Sequence, residues 1–287
     1  MSTKTGLDIS VIIPFKDKSE MTLDCVKSLQ QYGPKVSEII LVSNNSSADE
    51  LTNIHSFAKE FPDVIRVIEY NHPFNYQKIL NWAVSKSSGE TLMFLNNDTE
   101  LRPNSVGLIE KMFAKCHEKA VGVAGCLLLY GDEKTIQHAG VYLMPEGQAD
   151  HLYISKHYKA ALAQKNKDEF PYDITVDRPM TAVTGAVNLI TRKKFDKIEQ
   201  YDERFIIGGG DVDLCIRLNK MGYQTWYVSG GYILHKESQS RRQISIPYSD
   251  FYWSYLSYIT GYDVEVGDPF LPEITKKIRL HGHGAIR

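Results

Sequence analysis

The stretch Ile9-Ser10-Val11-Ile12-Ile13-Pro14 decides the fold. Its β-branched residues follow one another instead of alternating with polar ones, and a proline stops the run, the pattern of a strand buried on both faces. Ser19 to Gln31 follows, with Met21, Cys25, Val26 and Leu29 at helical spacing and Gly33-Pro34 at its end. Glu38-Ile39-Ile40-Leu41-Val42 predicts a second buried strand, running into the polar turn Ser43 to Ser47. A helix over Asp49 to Phe61, a strand over Val64 to Glu69, a helix over Tyr76 to Ser85 and a strand over Thr91 to Leu95 continue the alternation. Crossovers of this length predict an α/β fold, a Rossmann-like and mostly parallel central sheet with helices on both faces. Ligands bind such sheets at the carboxyl ends of the strands. Lys16-Asp17, Ser43 to Ser47 and Asn96-Asn97-Asp98 all fall at those ends, so they are predicted to share one crevice.

Further along, Ala120 to Tyr130 and Gln224 to Ser229 read as strands, and Asp211 to Met221 as a helix with Leu214, Leu218 and Met221 on one face. Tyr142 to Asp177 is long and polar and is expected to pass over the site. There is no Pro/Gly/Ser linker and no internal repeat. The expectation is one domain over 1–240, with a first half at about 8–100 and a second at about 120–240. A helical C-terminal appendage over 241–287 then packs on it and ends in a basic, disordered tail.

The 287 residues carry 33 Lys and Arg against 35 Asp and Glu, a net charge of −2, and 43% are hydrophobic. That is a globular composition, and it lacks the basic excess of a bulk nucleic-acid binder. The N-terminus has no apolar run of a secretory signal, and no window approaches the roughly 18 apolar residues of a membrane span. Cys25, Cys116, Cys126 and Cys215 form no CxxC pair and read as buried thiols in a reducing compartment, so the expected location is cytoplasmic. Walker A, GxGxxG, GxSxG and HExxH patterns are all missing. Asn96-Asn97-Asp98 can be a simple turn after a strand, since Asn and Asp favour turns. An aspartate there with a distant histidine such as His235 can also hold an octahedral divalent cation that takes oxygens from a diphosphate.

A run of motifs weighs between these readings. Val11-Ile12-Ile13-Pro14-Phe15-Lys16-Asp17-Lys18, Pro73-Phe74-Asn75-Tyr76 and Phe94-Leu95-Asn96-Asn97-Asp98-Thr99-Glu100 resemble inverting family 2 glycosyltransferases of the GT-A fold. Gln137-His138-Ala139-Gly140, Val183-Thr184-Gly185-Ala186, Asp211-Val212-Asp213-Leu214-Cys215-Ile216-Arg217-Leu218, His235-Lys236-Glu237-Ser238 and Asp268-Pro269 continue the resemblance in the family's order. It is strongest toward bacterial enzymes that build O-antigen, capsule and other surface polysaccharides.

The resemblance implies a hexosyl- or deoxyhexosyltransferase that moves a sugar from a UDP-, GDP- or dTDP-linked donor to a glycan or lipid-linked glycan. Asn97-Asp98 takes the place of the DxD-type motif, with Asp98 and His235 as ligands of Mn2+ or Mg2+. Asp211 takes the place of the general base. Pro14, Lys16, Asp17, Asn45, Lys78 and Asn81 match the donor side. Lys236, Arg241 and Arg242 either close over the diphosphate or form a solvated basic loop. Gly210 stands where many relatives have Glu, which weakens the expected acceptor contacts, and Ser43 stands where an Asp usually meets the nucleoside. Asp213 is expected to pair with Arg217, and His138 and His151 to be structural. The aromatic stretch Tyr248 to Tyr262 is expected to pack on the core or a partner, with a peripheral contact at the inner face of the plasma membrane as the alternative. A catalytically silent glycan-binding or scaffold domain is the competing function. A nucleotidyltransferase is disfavoured because Pro14 to Lys18 lacks the glycines that class needs after its first strand.

Overall fold

The computed structural model describes residues 6–144, 148–164, 166–236, 245–261 and 267–281. The first half holds β1 (Leu7–Phe15), α1 (Ser19–Tyr32), β2 (Val36–Ser43), α2 (Ala48–Ala58), β3 (Ile65–Glu69), α3 (Tyr76–Val84), β4 (Thr91–Leu95), β5 (Thr99–Leu101), α4 (Leu108–His117) and β6 (Val121–Leu129). After it come β7 (Ile136–His138), β8 (Val141–Leu143), β9 (Ala149–His151), α5 (Tyr158–Ala163), β10 (Arg178–Met180) and β11 (Val187–Thr191). The chain continues through α6 (Arg192–Lys197), α7 (Gly210–Lys220), β12 (Gln224–His235), α8 (Tyr248–Gly261) and α9 (Pro272–His281).

β1 pairs in parallel with β2 on one side and with β4 on the other, and β2 pairs in parallel with β3. The chain winds outward to β3 and then returns past β1 to lay down β4. The gap between the ends of β1 and β4 is therefore where the winding reverses, and there a crevice opens. The wider sheet is mixed and not purely parallel. β11 lies antiparallel between β4 and β6. β12 runs parallel to β6 and takes β5 and β10 antiparallel.

Both faces of β1 are covered. Ile9, Val11 and Ile13 pack with Cys25 and Leu29 of α1, whereas Ile12 packs with Ile79 and Leu80 of α3 and Leu214 of α7. Each aliphatic side chain so buried contributes about 1.5–3 kcal/mol. All four cysteines are buried and unpaired.

Three expectations need correction. The stretch from Tyr142 to Asp177 does not cover the crevice. Its apolar residues Leu143, Leu152, Tyr153 and Phe170 are buried, and the last three join Tyr227 of β12 and Ile274 and Ile278 of α9 in a separate cluster. The strand expected to stop at Ser229 continues to His235. Its register against β6 shifts between Val228 and Tyr232, and a Cβ at Gly231 would lie 2.0 Å from the Asn104 carbonyl oxygen. The glycines there make a bulge and not an end. Finally, α8 packs on α7 along one face only. Tyr258 is buried, while Tyr248, Phe251, Tyr252 and Tyr255 form an exposed stripe, 86%, 58%, 52% and 49% accessible. Tyr262 lies outside the described residues. Among the described residues no helix is long and apolar enough to cross a membrane.

Candidate active site

The loop after β1 turns through two non-glycine residues in the left-handed region, Asp17 at φ 52° and Lys18 at φ 54°. It is tied to the loop after β2: the Asp17 amide donates to Ser46 Oγ at 2.9 Å, and Asp17 Oδ1 accepts from the Ser47 amide at 2.8 Å. Asn44 Nδ2 donates to the carbonyls of Tyr70 and His72, both at 2.9 Å, which fixes the second loop to the chain after β3. A cavity of about 660 Å³ opens over these strand ends. Pro14, Lys16, Asp17, Asn97, Asp98, Asp211 and His235 all line it, so the main expected residues do converge.

The turn after β4 forms one wall. Asn97 Nδ2 donates to Thr22 Oγ1 at 3.0 Å, and Tyr76 Oη donates to Asn96 Oδ1 at 2.6 Å. Asp98 Oδ1 lies 3.1 Å from His235 Nε2. His235 Nδ1 lies 2.6 Å from Gln137 Oε1, an oxygen that can only accept, so Nδ1 carries a proton and Nε2 is the atom turned toward Asp98. An imidazole nitrogen and a carboxylate oxygen at this spacing can serve as adjacent ligands of one cation on the cavity side. No group of three or more His, Cys, Asp or Glu able to hold a metal occurs among the described residues. A two-ligand site matches ions such as Mg2+, which keep waters and take phosphate oxygens from a substrate. The donor set therefore fits a hard divalent cation.

A second part of the lining is the first turn of α7. Gly209 precedes the helix at φ 84°, and Asp211 is its second residue. Asp211 Oδ2 accepts from the Gly185 amide at 2.7 Å, and Oδ1 from the Val212 amide at 2.9 Å. Asp213 Oδ2 pairs with Arg217 Nε at 2.7 Å as expected, and its Oδ1 accepts from Ser257 Oγ of α8 at 2.7 Å. The loop before α7 is held by a residue that sequence reasoning missed. Asp250 of α8, 1% exposed, accepts from the amides of Ile206, Ile207 and Gly208 at 2.9, 2.8 and 3.0 Å.

Other expected residues stand elsewhere. Ser43 is buried, and its Oγ accepts from the Ser46 amide at 3.3 Å. Asn45 is exposed and donates to the His72 carbonyl. Asn81 clasps the backbone of Tyr201, donating to its carbonyl at 2.9 Å and accepting from its amide at 3.1 Å. Lys78 is exposed beside a second cavity of about 410 Å³. Lys236 pairs with Glu100 at 2.7 Å. None of these five lines the main cavity. Arg241 and Arg242 lie outside the described residues. His138 is fully buried, and burial together with the nearby His151 and His235 holds its pKa well below the ordinary value. Its ring meets His151 edge-on at 4.9 Å, so both serve the wall behind His235. Asn44 and Gln77 line the main cavity without having been singled out in the sequence.

The family model described as "Glycosyl transferase family 2" matches residues 10–180. "O-antigen biosynthesis protein RfbC" of Myxococcus xanthus is 35% identical over 272 residues, 93% of this chain and 20% of RfbC. The "Uncharacterized protein y4gI" of Sinorhizobium fredii is 29% identical over 247 residues, 83% of this chain and 25% of that protein. The chain thus spans only a fifth to a quarter of the length of these relatives. Among solved structures, GalNAc-T7 with UDP, GalNAc and Mn2+ superposes with a TM-score of 0.66 at 14% identity, covering 86% of this chain and 47% of that one.

Proposed function

The chain belongs to glycosyl transferase family 2, and from that premise we propose that it moves a sugar from a nucleoside-diphosphate donor to a hydroxyl of a bacterial surface glycan. The observation that carries this reading is the joint lining of one strand-end cavity by the Asp98–His235 pair and by Asp211. Asp98 and His235 would hold Mn2+ or Mg2+. Such an ion offsets the charge that a diphosphate leaving group gains as the glycosidic bond breaks. Lys16 and the loop tied by Asp17 would face the donor, with Asn97 at the same rim.

Asp211 would act as the general base. An acceptor hydroxyl is a poor nucleophile until its proton is taken, and a carboxylate in reach of the hydroxyl takes it as the new bond forms. Both Asp211 oxygens already accept one backbone N–H, and each keeps a further acceptor position. The backbone bonds hold the carboxylate while the spare positions stay available to substrate. A single displacement of this kind inverts the anomeric centre.

The test is a panel of UDP-, GDP- and dTDP-sugars, scored for thermal stabilisation and hydrolysis with and without Mn2+ or Mg2+. A metal-dependent rise in melting temperature with one donor, followed by its hydrolysis, is the expected result. Glycan binding with no donor binding or turnover would instead favour a silent scaffold.

A further inference from the structure

The loop from Ile206 to Gly209 leads into α7, and Ile207, Gly209 and Asp211 all line the main cavity. Two helices hold its backbone. The Tyr76 amide at the start of α3 donates to the Ile206 carbonyl at 2.7 Å. Asp250 of α8 accepts from the Ile206 amide on Oδ1, and from the Ile207 and Gly208 amides on Oδ2. Three consecutive amides on one carboxylate leave these peptides little freedom to turn, and only a carboxylate accepts on both oxygens. Farther along α8, a Cβ at Gly209 would collide with Ser254 Oγ and lie 3.3 Å from Tyr258 Oη. Ser257 then donates to Asp213 Oδ1 at 2.7 Å, within the same helical turn as Asp211. The helix thus grips the chain before Asp211 and after it.

We propose that Asp250 is a positioning residue for the transfer step: it fixes the loop that sets where Asp211 stands, and so brings the base within reach of the attacking oxygen. The inference rests on the transferase reading above, with Asp211 as its base. It makes α8, which lies in the segment expected to be an appendage, part of the catalytic machinery. A base displaced by about 1 Å loses about 100-fold in rate while the chain stays folded. The Gly185 amide still holds Asp211 Oδ2, so the effect of losing the clamp is misplacement and not unfolding. Lys16, Asp98 and His235 stand on the loop after β1, the turn after β4 and β12, so donor binding is spared.

The experiment uses the donor found by the panel. Turnover is read as transfer to methyl glycosides of glucose, galactose, N-acetylglucosamine and rhamnose, and as hydrolysis, since a proton leaves the attacking oxygen in both. Asp250→Ala should lower kcat about 10–100-fold with donor KM changed less than about threefold. Calorimetry should still count one Mn2+-dependent donor site per chain, a number that falls with kcat if the substitution merely unfolds the protein. Asp250→Asn keeps one accepting oxygen and should lie between Asp250→Ala and the parent. In an Asp211→Asn background, either Asp250 variant should cost less than about twofold more, because both changes act through one carboxylate. Where Asp250→Ala does not fold, Asp250→Asn carries the same readings. A kcat within about threefold of the parent in the folded variants, losses that multiply in the double variant, or a donor-site count that falls with kcat would overturn the inference while leaving the transferase reading intact. A parental chain that binds and hydrolyses no donor would instead overturn that reading, and this inference with it.

Discussion

At the rim where the turn after β4 reaches the end of β12, a carboxylate faces an imidazole across 3.1 Å, and that imidazole is aimed by a glutamine amide. At the first turn of α7, a carboxylate receives backbone N–H groups on both oxygens, and the loop before it is clamped by a second buried carboxylate, Asp250. The first arrangement is built from side chains and offers two adjacent ligand atoms to a cation. The second is built on main chain and is complete as it stands. A side-chain site can be taken apart one residue at a time, with its effects read in metal and donor affinity. At the main-chain site an amide in place of the carboxylate keeps only one of the two backbone hydrogen bonds, so a substitution there is read in rate beside a stability control.

The sharpest way to break this contrast is Asp211→Asn. It preserves size and an accepting oxygen but removes the ability to take a proton, so transfer should fall by about 10²–10⁴ with donor affinity unchanged. A rate above about a tenth of the parental one would remove Asp211 from the role of base. If Asp211 only accepted backbone N–H groups, asparagine would keep one of the two bonds and the loss would appear in stability and not in transfer.

On the other rim the effects should appear in binding. Asp98→Ala and His235→Ala should each abolish Mn2+-dependent donor affinity in calorimetry while leaving the fold intact. Gln137→Leu should weaken metal affinity by about 10–100-fold, because it frees the imidazole to turn and to change tautomer. Parental Mn2+ and donor binding in both Asp98→Ala and His235→Ala would end the metal assignment.

Asp250→Ala tests the clamp. Three backbone amides lose their acceptor, and urea denaturation should show a loss of about 3 kcal/mol, with Asp250→Asn less affected. A loss below about 1 kcal/mol would mean that other contacts hold the loop.

The smallest effect belongs to the far end of the sheet, where Glu38 is 7% exposed. Burial pushes its carboxyl up, but hydrogen bonds from Ser10 and Ser88 and the nearby Arg66 charge more than offset this, so its pKa is lowered. A lowered folded pKa means stability that is present above the unfolded value of about 4.3 and lost as pH falls through the folded one. Glu38→Gln should therefore flatten the acid limb of the stability curve below about pH 4.5 and leave activity at neutral pH alone. An unchanged acid limb would exclude Glu38 as its source.

What could be read from the sequence was carried by local signals. The apolar run from Ile9 to Ile13, the Asn-Asn-Asp turn after Leu95 and the acidic first turn around Asp211 each announce themselves within a few residues, although β1 runs on through Pro14 to Phe15. Gln137 and Asp250 do not, because they act from 98 and 42 to 44 residues away. No periodicity in a short window reports such a pairing. Asn81 and Gln77 stand one helical turn apart on α3, yet only Gln77 reaches the cavity, since the Tyr201 backbone occupies Asn81. Choosing between them requires knowing where the chain around Tyr201 returns, which is a property of the packed fold.

The bulge in β12 has a consequence for parity. Side chains on a strand alternate faces with a period of two, and three residues, Ser229 to Gly231, have no partner on β6. An odd insertion resets the alternation, so Val228 and Ile233 both join the cluster that packs against α1 and α4, although they are an odd number of positions apart. His235, two residues beyond Ile233, takes its facing from the reset count. The facing of His235, and with it the contact with Asp98, is therefore set by how Ser229 to Gly231 absorb this odd insertion. The candidate metal site therefore depends on the length of a segment that carries none of its ligands, and a scan of point substitutions would never reveal that dependence.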